Sequence, residues 1–393
     1  MDISGVVTLK KGKDHSVERF HPWIFSGAIQ RQTGTPADGQ WVEAQSASGK
    51  TLGFGHYQEG SITVRLLSFG DVRPASDFYV TRIKTALALR AAAGLPNQNT
   101  NAFRLIHGEG DGLPGLIVDY YDNAAVVQSH SYGMHADRLQ IANAIQEVFG
   151  DSCRAIYYRS QISGKQQTSQ QPEYLLGHKE MPAIITEYGS RFYVNWEEGQ
   201  KTGFFLDQRE NRELLKSFCH GKSVLNTFCY TGGFSVTALK GGARVVHSVD
   251  ASEKAVHLTE KNLTLNGFDP VENSCHAIDT FDFLKDKDGI YDVIVLDPPA
   301  FAKHRDARHQ AVRGYQRLNT EALKVIKKGG ILFTFSCSQV VDRQLFYNTI
   351  VSSAIQSGRQ IKVLHHLSQP ADHPVSIFHP EGEYLKGLVL YVE

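Results

Sequence analysis

The sequence predicts an α/β protein whose C-terminal half is a doubly wound, mainly parallel sheet, preceded by a small β-domain and a central α+β segment. Three observations predict it. Short strand patterns punctuated by glycine fill the first segment. Strand and helix patterns alternate from about residue 181. Successive strands there end on aspartates, at the sheet edge where open α/β folds bind ligands.

Residues 1–70 contain the strands GVVTLK, GQWVEAQS, GKTLGFGHY and ITVRLLSF, and Pro22 and Gly27 interrupt the intervening RFHPWIFSGAI. Residues 71–180 open with a helix, DFYVTRIKTALALRAAAG, which places Tyr79, Ile83, Leu87 and Leu89 near one face and stops at Gly94. FRLIHGEGDGLPGLIVDYYDNAAVVQSH reads as a turn-rich loop and two strands. HADRLQIANAIQEVFG is an amphipathic helix, AIYYRS a strand, and GKQQTSQQPEYLLGHKE a polar loop.

The third segment, 181–393, begins with a hairpin, PAIITEYGSRFYVNW, turning at Gly189. SVLN, RVVHSVD, SCHAID, YDVIVLD and ILFTFS are strands. They alternate with the helices FSVTALKGG, SEKAVHLTEKNLTLNG and TFDFLKD, then a long polar segment and EALKVIKKGG. Such alternation builds right-handed βαβ units. IKVLHHL and KGLVLYV follow with no helix between them, which makes the last strand antiparallel. A Rossmann-like parallel sheet closed by this hairpin is the class I methyltransferase pattern rather than that of dinucleotide dehydrogenases.

Composition narrows the partners. Acidic and basic residues number 41 each, so only a local basic patch can argue for nucleic acid. The N-terminus lacks an apolar signal core, and no apolar run approaches the roughly twenty residues that span a bilayer. A soluble, cytoplasmic protein without membrane partner is expected. The cysteines are Cys153, Cys219, Cys229, Cys275 and Cys337, with no Cys-x-x-Cys pair. Free thiols are expected, and neither zinc nor any other metal.

The loop TFCYTGGFS follows the first strand of the sheet, where Gly232 and Gly233 would let backbone approach a ligand closely. The next strand ends at Asp250, placed to accept both hydroxyls of a ribose. The third ends at Asp279, placed to meet an adenine amino group, and the fourth at Asp297. Each aspartate alone reads as a helix N-cap; three in register favour a ligand. Neither G-x-G-x-x-G nor G-x-x-x-x-G-K is present, so S-adenosylmethionine, with ribose and adenine but no phosphate, fits better than a nucleotide. Upstream, KTGFFLDQRENR (Lys201 to Arg212) is either a polar helix start capped by Asp207 or a lid on the cofactor, in which case Gln208 would touch it.

In Asp297-Pro298-Pro299-Ala300-Phe301 the prolines fix the turn, which suits a rigid grip on a flat ring with Phe301 as a stacking face. KHRDARHQAVRGYQR then supplies Lys303, Arg305, Arg308, Arg313 and Arg317, with Tyr315 among them. It is either a solvated helix face or a phosphate-contacting element for RNA. One strand over, FTFSCSQ places Cys337 between two serines at the same edge. A thiolate adding to carbon 6 of cytosine makes carbon 5 nucleophilic. The thiol then needs a partner that the sequence does not name. Cys229 is the rival thiol, but it faces the cofactor loop.

These residues resemble the bacterial RlmI family of 23S rRNA cytosine-5-methyltransferases along the whole chain. The similarity rests on RFHPWIFSGAI, RLIHGEGDGLPGLIVD, KTGFFLDQRENR, NTFCYTGGFSV, VIVLDPPAF, RGYQRLN, FTFSCS, ADHP and EGEYLKG. The resemblance implies an RNA-binding PUA domain, a central domain and a methyltransferase domain. It implies Cys337 as nucleophile, and S-adenosylmethionine held by Asn226, Phe228, Tyr230, Thr231, Gly232 and Gly233 with Asp250, Asp279 and Asp297. A homodimer is left open. One departure is Pro298-Pro299-Ala300, where the wider RNA cytosine-5 class often carries a second, product-releasing cysteine. Another group must then take the carbon-5 proton: water, or Asp372 or His373, which read equally as a loop cap. The Asp-Pro-Pro-Ala-Phe turn also resembles nitrogen methyltransferases. Methylation of a guanine or adenine nitrogen in RNA, or a catalytically silent RNA-binding protein, are therefore the alternatives.

Overall fold

The computed structural model describes residues 1–160, 162, 171–285, 287–302 and 304–393, the side chains at 160 and 305 excepted. The chain divides into two units. The first holds Met1–Met181, Asn195–Gly203 and Ala371–Gly382; the second holds Pro182–Val194, Phe204–Pro370 and Glu383–Glu393.

In the first unit, alternating apolar residues pair into a six-stranded sheet in the order Trp23–Phe25, Ile62–Phe69, Thr51–Tyr57, Trp41–Gln45, Ile3–Leu9, Ile29–Gly34. A five-stranded sheet, Ala102–His107 to Glu173–Leu176, is covered by helices Phe78–Ala92 and Arg138–Phe149. PEYLL, read as loop, thus supplies an edge strand. Trp41, Phe54 and Leu67 of the first sheet share a core with Phe103 and Val118 of the second and Ile145 of the helix Arg138–Phe149. Buried Asp137 ties the two together, accepting hydrogen bonds from Trp41 Nε1 (3.2 Å) and Tyr79 Oη (2.5 Å) and meeting His56 Nε2 at 3.0 Å. Residues 1–70 and 71–180 therefore pack as one body. The buried stripe of the helix Phe78–Ala92 is Tyr79, Ile83, Ala86 and Arg90, while Leu89 is 38 % exposed. Arg90 goes inward because Asp111 pairs with both of its terminal nitrogens, at 2.5 and 2.8 Å.

The second unit is built on a seven-stranded sheet: β1 (Ser223–Thr227), β2 (Val245–Asp250), β3 (Cys275–Ala277), β4 (Val293–Leu296), β5 (Gly330–Ser336), β6 (Ile361–Ser368) and β7 (Lys386–Val392). The order is β3-β2-β1-β4-β5-β7-β6, parallel except for the expected antiparallel β7. The helices are α1 (Arg209–Leu215), α2 (Gly233–Lys240), α3 (Glu253–Leu265), α4 (Thr280–Leu284), α5 (Arg308–Val325) and α6 (Arg343–Ser357). The polar segment after Asp297 becomes the first half of α5. It does so because Ala311, Tyr315, Leu318 and Ala322 recur at helical spacing and are buried, which carries one apolar stripe through the charged run. The hairpin Ala183–Glu187/Ser190–Val194 turns on Tyr188 and Gly189, both at positive φ (45° and 75°).

Candidate active site

The loop between β1 and α2 is wound tightly. Phe228, Tyr230 and Gly232 all have left-handed backbone, with φ of 53°, 47° and 73°. Non-glycine residues adopt this conformation at a cost of about 1–2 kcal/mol each, so the surroundings must hold it. They do. Asp250 Oδ2 accepts the Tyr230 N–H (3.1 Å), Thr259 donates to the Tyr230 carbonyl (3.0 Å), and Asn262 donates to the Thr231 carbonyl (2.8 Å). The glycines serve packing. A Cβ on Gly232 would lie 2.6 Å from Thr259 Cγ2, and one on Gly233 would lie 2.9 Å from Arg212 Cδ. Arg212 cannot yield, because Glu187 pairs with its Nε and Nη2 at 2.7 and 2.8 Å in a buried bidentate contact. The sequence reading assigned these glycines to ligand approach; in the structure, protein neighbours already require both.

Beneath the loop, Asn226 donates to Ser235 (2.8 Å), which bonds Ser248 (2.7 Å), locking β1, α2 and β2 together. Among the described residues, Asn226 Oδ1 is buried without a hydrogen-bond partner. The N-terminus of α2 has no side-chain cap, so its first N–H groups remain for an anionic ligand group. Asp250 ends β2 half-buried, its second oxygen on the Ser252 N–H (2.9 Å). Asp279 caps α4, its Oδ1 accepting the Phe281 N–H (2.8 Å) and the Asp282 N–H (3.4 Å). Asp250 and Asp279 thus both accept backbone N–H groups.

Asp207 does not cap α1; its Oδ2 accepts the Tyr384 hydroxyl (2.7 Å). Gln208 donates to Asp297 Oδ1 (2.9 Å) and accepts from Asn211 (2.7 Å), which fixes its amide orientation. The segment before the sheet thereby touches the Asp-Pro-Pro turn directly. Phe205 lies edge-on to Tyr230, with ring centres 5.1 Å apart.

Around Cys337 the two serines are structural. Ser338 Oγ donates to the Ala302 carbonyl (2.8 Å), and the Ser338 N–H reaches Ser336 Oγ (3.4 Å). This pins the strand end with Cys337 half-buried between them. The other thiols are poor candidates. Burial pushes Cys153 and Cys275 up to about 11, Cys219 to about 12 and Cys229 higher still. Cys229 is also engaged with Thr259 at 3.4 Å.

The Phe301 ring packs against α5, where Gly314 leaves room for it and Tyr315 meets it at 4.6 Å. Tyr315 itself is 0 % exposed. The sequence reading put it on an RNA-facing surface; the helical stripe instead buries it, where the charges of both Cys337 and Asp297 act on its hydroxyl. Arg308, Arg313 and Arg317 are exposed on α5, and Arg308 approaches Asp342 at 3.6 Å. Lys303 and the Arg305 side chain lie outside the described residues.

The model of an S-adenosylmethionine-dependent methyltransferase family matches residues 155–377, and that of a PUA-like domain matches 7–69. The chain belongs to this methyltransferase family. It is similar, at 38 % identity over 99 % of both chains, to proteins named ribosomal RNA large subunit methyltransferase I from Alteromonas mediterranea and Aeromonas hydrophila. Its fold matches a putative SAM-dependent methyltransferase from Streptococcus mutans (TM-score 0.83, 22 % identity, 98 % of this chain and 99 % of that one). It also matches a putative methyltransferase crystallised with SAH (TM-score 0.85, 22 % identity, 99 % and 100 %).

S-adenosylmethionine fits the residues of this methyltransferase. The uncapped α2 terminus suits its carboxylate and Asp250 its ribose. Two groups were missed by sequence reasoning. One is the Glu187–Arg212 pair behind the loop. The other is Lys386, 4 % exposed, whose Nζ donates to the Ser338 carbonyl at 2.6 Å. Its signal was a lysine in the apolar, two-residue rhythm of KGLVLYV. Asp372 and His373 are almost fully buried, with Asp372 accepting the Arg104 N–H (2.9 Å) and meeting His373 at 3.1 Å. That is the loop-cap reading of these two residues. Among the described residues, His21, His379 and Glu381 bring metal-type donors within 4.8 Å. His21 Nδ1 accepts the Trp23 N–H (3.2 Å), which leaves the proton on Nε2 facing Glu381 at 3.6 Å. Among the described residues no helix is long and apolar enough to cross a membrane.

Proposed function

We propose that this methyltransferase forms 5-methylcytosine in 23S rRNA through a covalent adduct on Cys337, and works in the cytoplasm where that RNA is assembled. The observation that carries the chemistry is the half-buried Cys337 at the sheet edge beside the Asp297 turn, with both flanking hydroxyls already engaged. Attack by a ring or exocyclic nitrogen needs no thiol there. The RNA class is supported by the names of the full-length relatives and the PUA-like match.

Asp297, steadied by Gln208, accepts from the cytosine amino group and orients the ring, with Phe301 alongside. The Cys337 thiolate adds to carbon 6, forming the Sγ–C6 bond and moving the π electrons to carbon 5. S-adenosylmethionine, when bound, supplies the sulfonium methyl that carbon 5 takes up. Loss of the carbon-5 proton to water restores the double bond and expels the thiolate. Exposed Arg308, Arg313 and Arg317 hold the RNA backbone.

The test is methyl transfer from labelled cofactor to unmodified 23S rRNA, followed by nucleoside mass spectrometry, with wild type and Cys337→Ala. Labelled 5-methylcytosine from wild type alone supports the reading. A labelled purine from both proteins sinks it in favour of nitrogen methylation, and no label from a folded, cofactor-binding wild type favours a silent RNA-binding protein.

A further inference from the structure

We infer that Lys386 is a positioning residue for the reaction, a buried counter-ion that holds Cys337 in its thiolate form before attack. The inference rests on the reading of Cys337 as nucleophile. Lys386 is the first residue of β7 and pairs in register with Ser336 of β5. It shares the core-facing side of β7 with Leu388, Leu390 and Val392. A lysine in that row is costly unless its charge is used, because burial disfavours the ammonium. Its stem is fixed by the strand and its tip by the Ser338 carbonyl. Lys386 thus brackets Cys337, with a backbone neighbour on one side and a hydrogen-bond partner on the other. Among the described residues no carboxylate forms an ion pair with its Nζ, so the adjacent thiolate is the charge it can neutralise closest to the chemistry.

The electrostatics agree. Burial pulls the Lys386 ammonium down to about 8, and the negative charge of Cys337 acts against that pull. Glu383 and Asp342 also favour the ammonium, while Arg343 opposes it. From the other side, Tyr315 is held protonated, mainly by burial, and contributes no charge near neutral pH; Asp297 is the remaining charged group there. Attraction is mutual, so the cation that the thiolate stabilises in turn stabilises the thiolate. On ionisation the Cys337 S–H bond breaks and its proton passes to solvent water, while Lys386 stays an ammonium beside the thiolate.

The test is the pH dependence of Cys337 alkylation by iodoacetamide, read on the Cys337 peptide by mass spectrometry with the full-length protein. Wild type is expected to show a midpoint clearly below that of an ordinary thiol, about 8.5. Lys386→Met removes the charge while keeping the volume, and is expected to raise the midpoint by a unit or more and slow alkylation at pH 7 about tenfold or more. Lys386→Arg should restore part of it. An unmoved profile in Lys386→Met that still binds S-adenosylhomocysteine overturns the inference, leaving Lys386 a clamp on the Ser338 carbonyl. So does a wild-type midpoint at or above 8.5, which requires no variant to fold. Retained transfer by Cys337→Ala would instead remove the nucleophile reading, an outcome distinct from either alkylation result.

Discussion

Replacing Asp250 by Asn tests how the cofactor loop works. In the structure one carboxylate does two tasks: it accepts the N–H groups of Tyr230 and Ser252, and it ends β2 where a ribose diol would be received. Asn keeps the shape but offers one oxygen, and turns an NH₂ toward either a backbone N–H or the ligand. A hydrogen bond to a charged group is worth about 1.5–3 kcal/mol net. Losing the equivalent of one such bond in binding predicts roughly a 10- to 150-fold weaker affinity for S-adenosylhomocysteine. Part of the loss arises in the loop, since the Tyr230 contact helps offset its left-handed backbone. Isothermal titration calorimetry measures the affinity, and a thermal melt shows that the variant is folded. A dissociation constant within twofold of wild type, with an unchanged melt, would refute the assignment of Asp250 to the cofactor.

Two further outcomes are expected. Neutralising Arg308 and Arg313 together should weaken rRNA binding and flatten the logarithmic salt dependence by about 1–2; an unaltered slope in a filter-binding titration would take α5 out of the RNA interface. Burial, His373 and Arg104 hold the His107 imidazole well below its usual range, and Arg104 donates to its Nδ1 at 3.0 Å. A base whose folded value is depressed stabilises the fold above its unfolded value and loses that contribution as pH falls below about 6.5. Urea denaturation should therefore show stability declining from pH 7 toward 5, less steeply in His107→Gln, and equal slopes would contradict the role.

Periodicity made the sheet and its closing hairpin legible, because a buried parallel strand bounded by glycine and aspartate has few other readings. The edge aspartates and the thiol were legible for the same reason: strand ends are marked in sequence. The polarity of KHRDARHQ hid the start of α5, whose apolar stripe is narrow there, and so misplaced Tyr315. Lys386 escaped because charge in a strand reads as exposure, and only the pairing with Ser336 turns it inward. The purpose of Gly232 and Gly233 was also invisible, since Thr259 and Arg212 reach them from elsewhere in the chain.

The order in which the chain is made adds a constraint. Arg90 is completed by the Asp372 carbonyl (2.8 Å), and Asp372 in turn holds the Arg104 N–H, so the first unit closes only with its last piece, Ala371–Gly382. That piece is translated after almost all of the second unit. Until that piece is made, Arg90 has its Asp111 partner but lacks the Asp372 carbonyl. Cutting the chain at residue 181 would leave that acceptor on the other fragment.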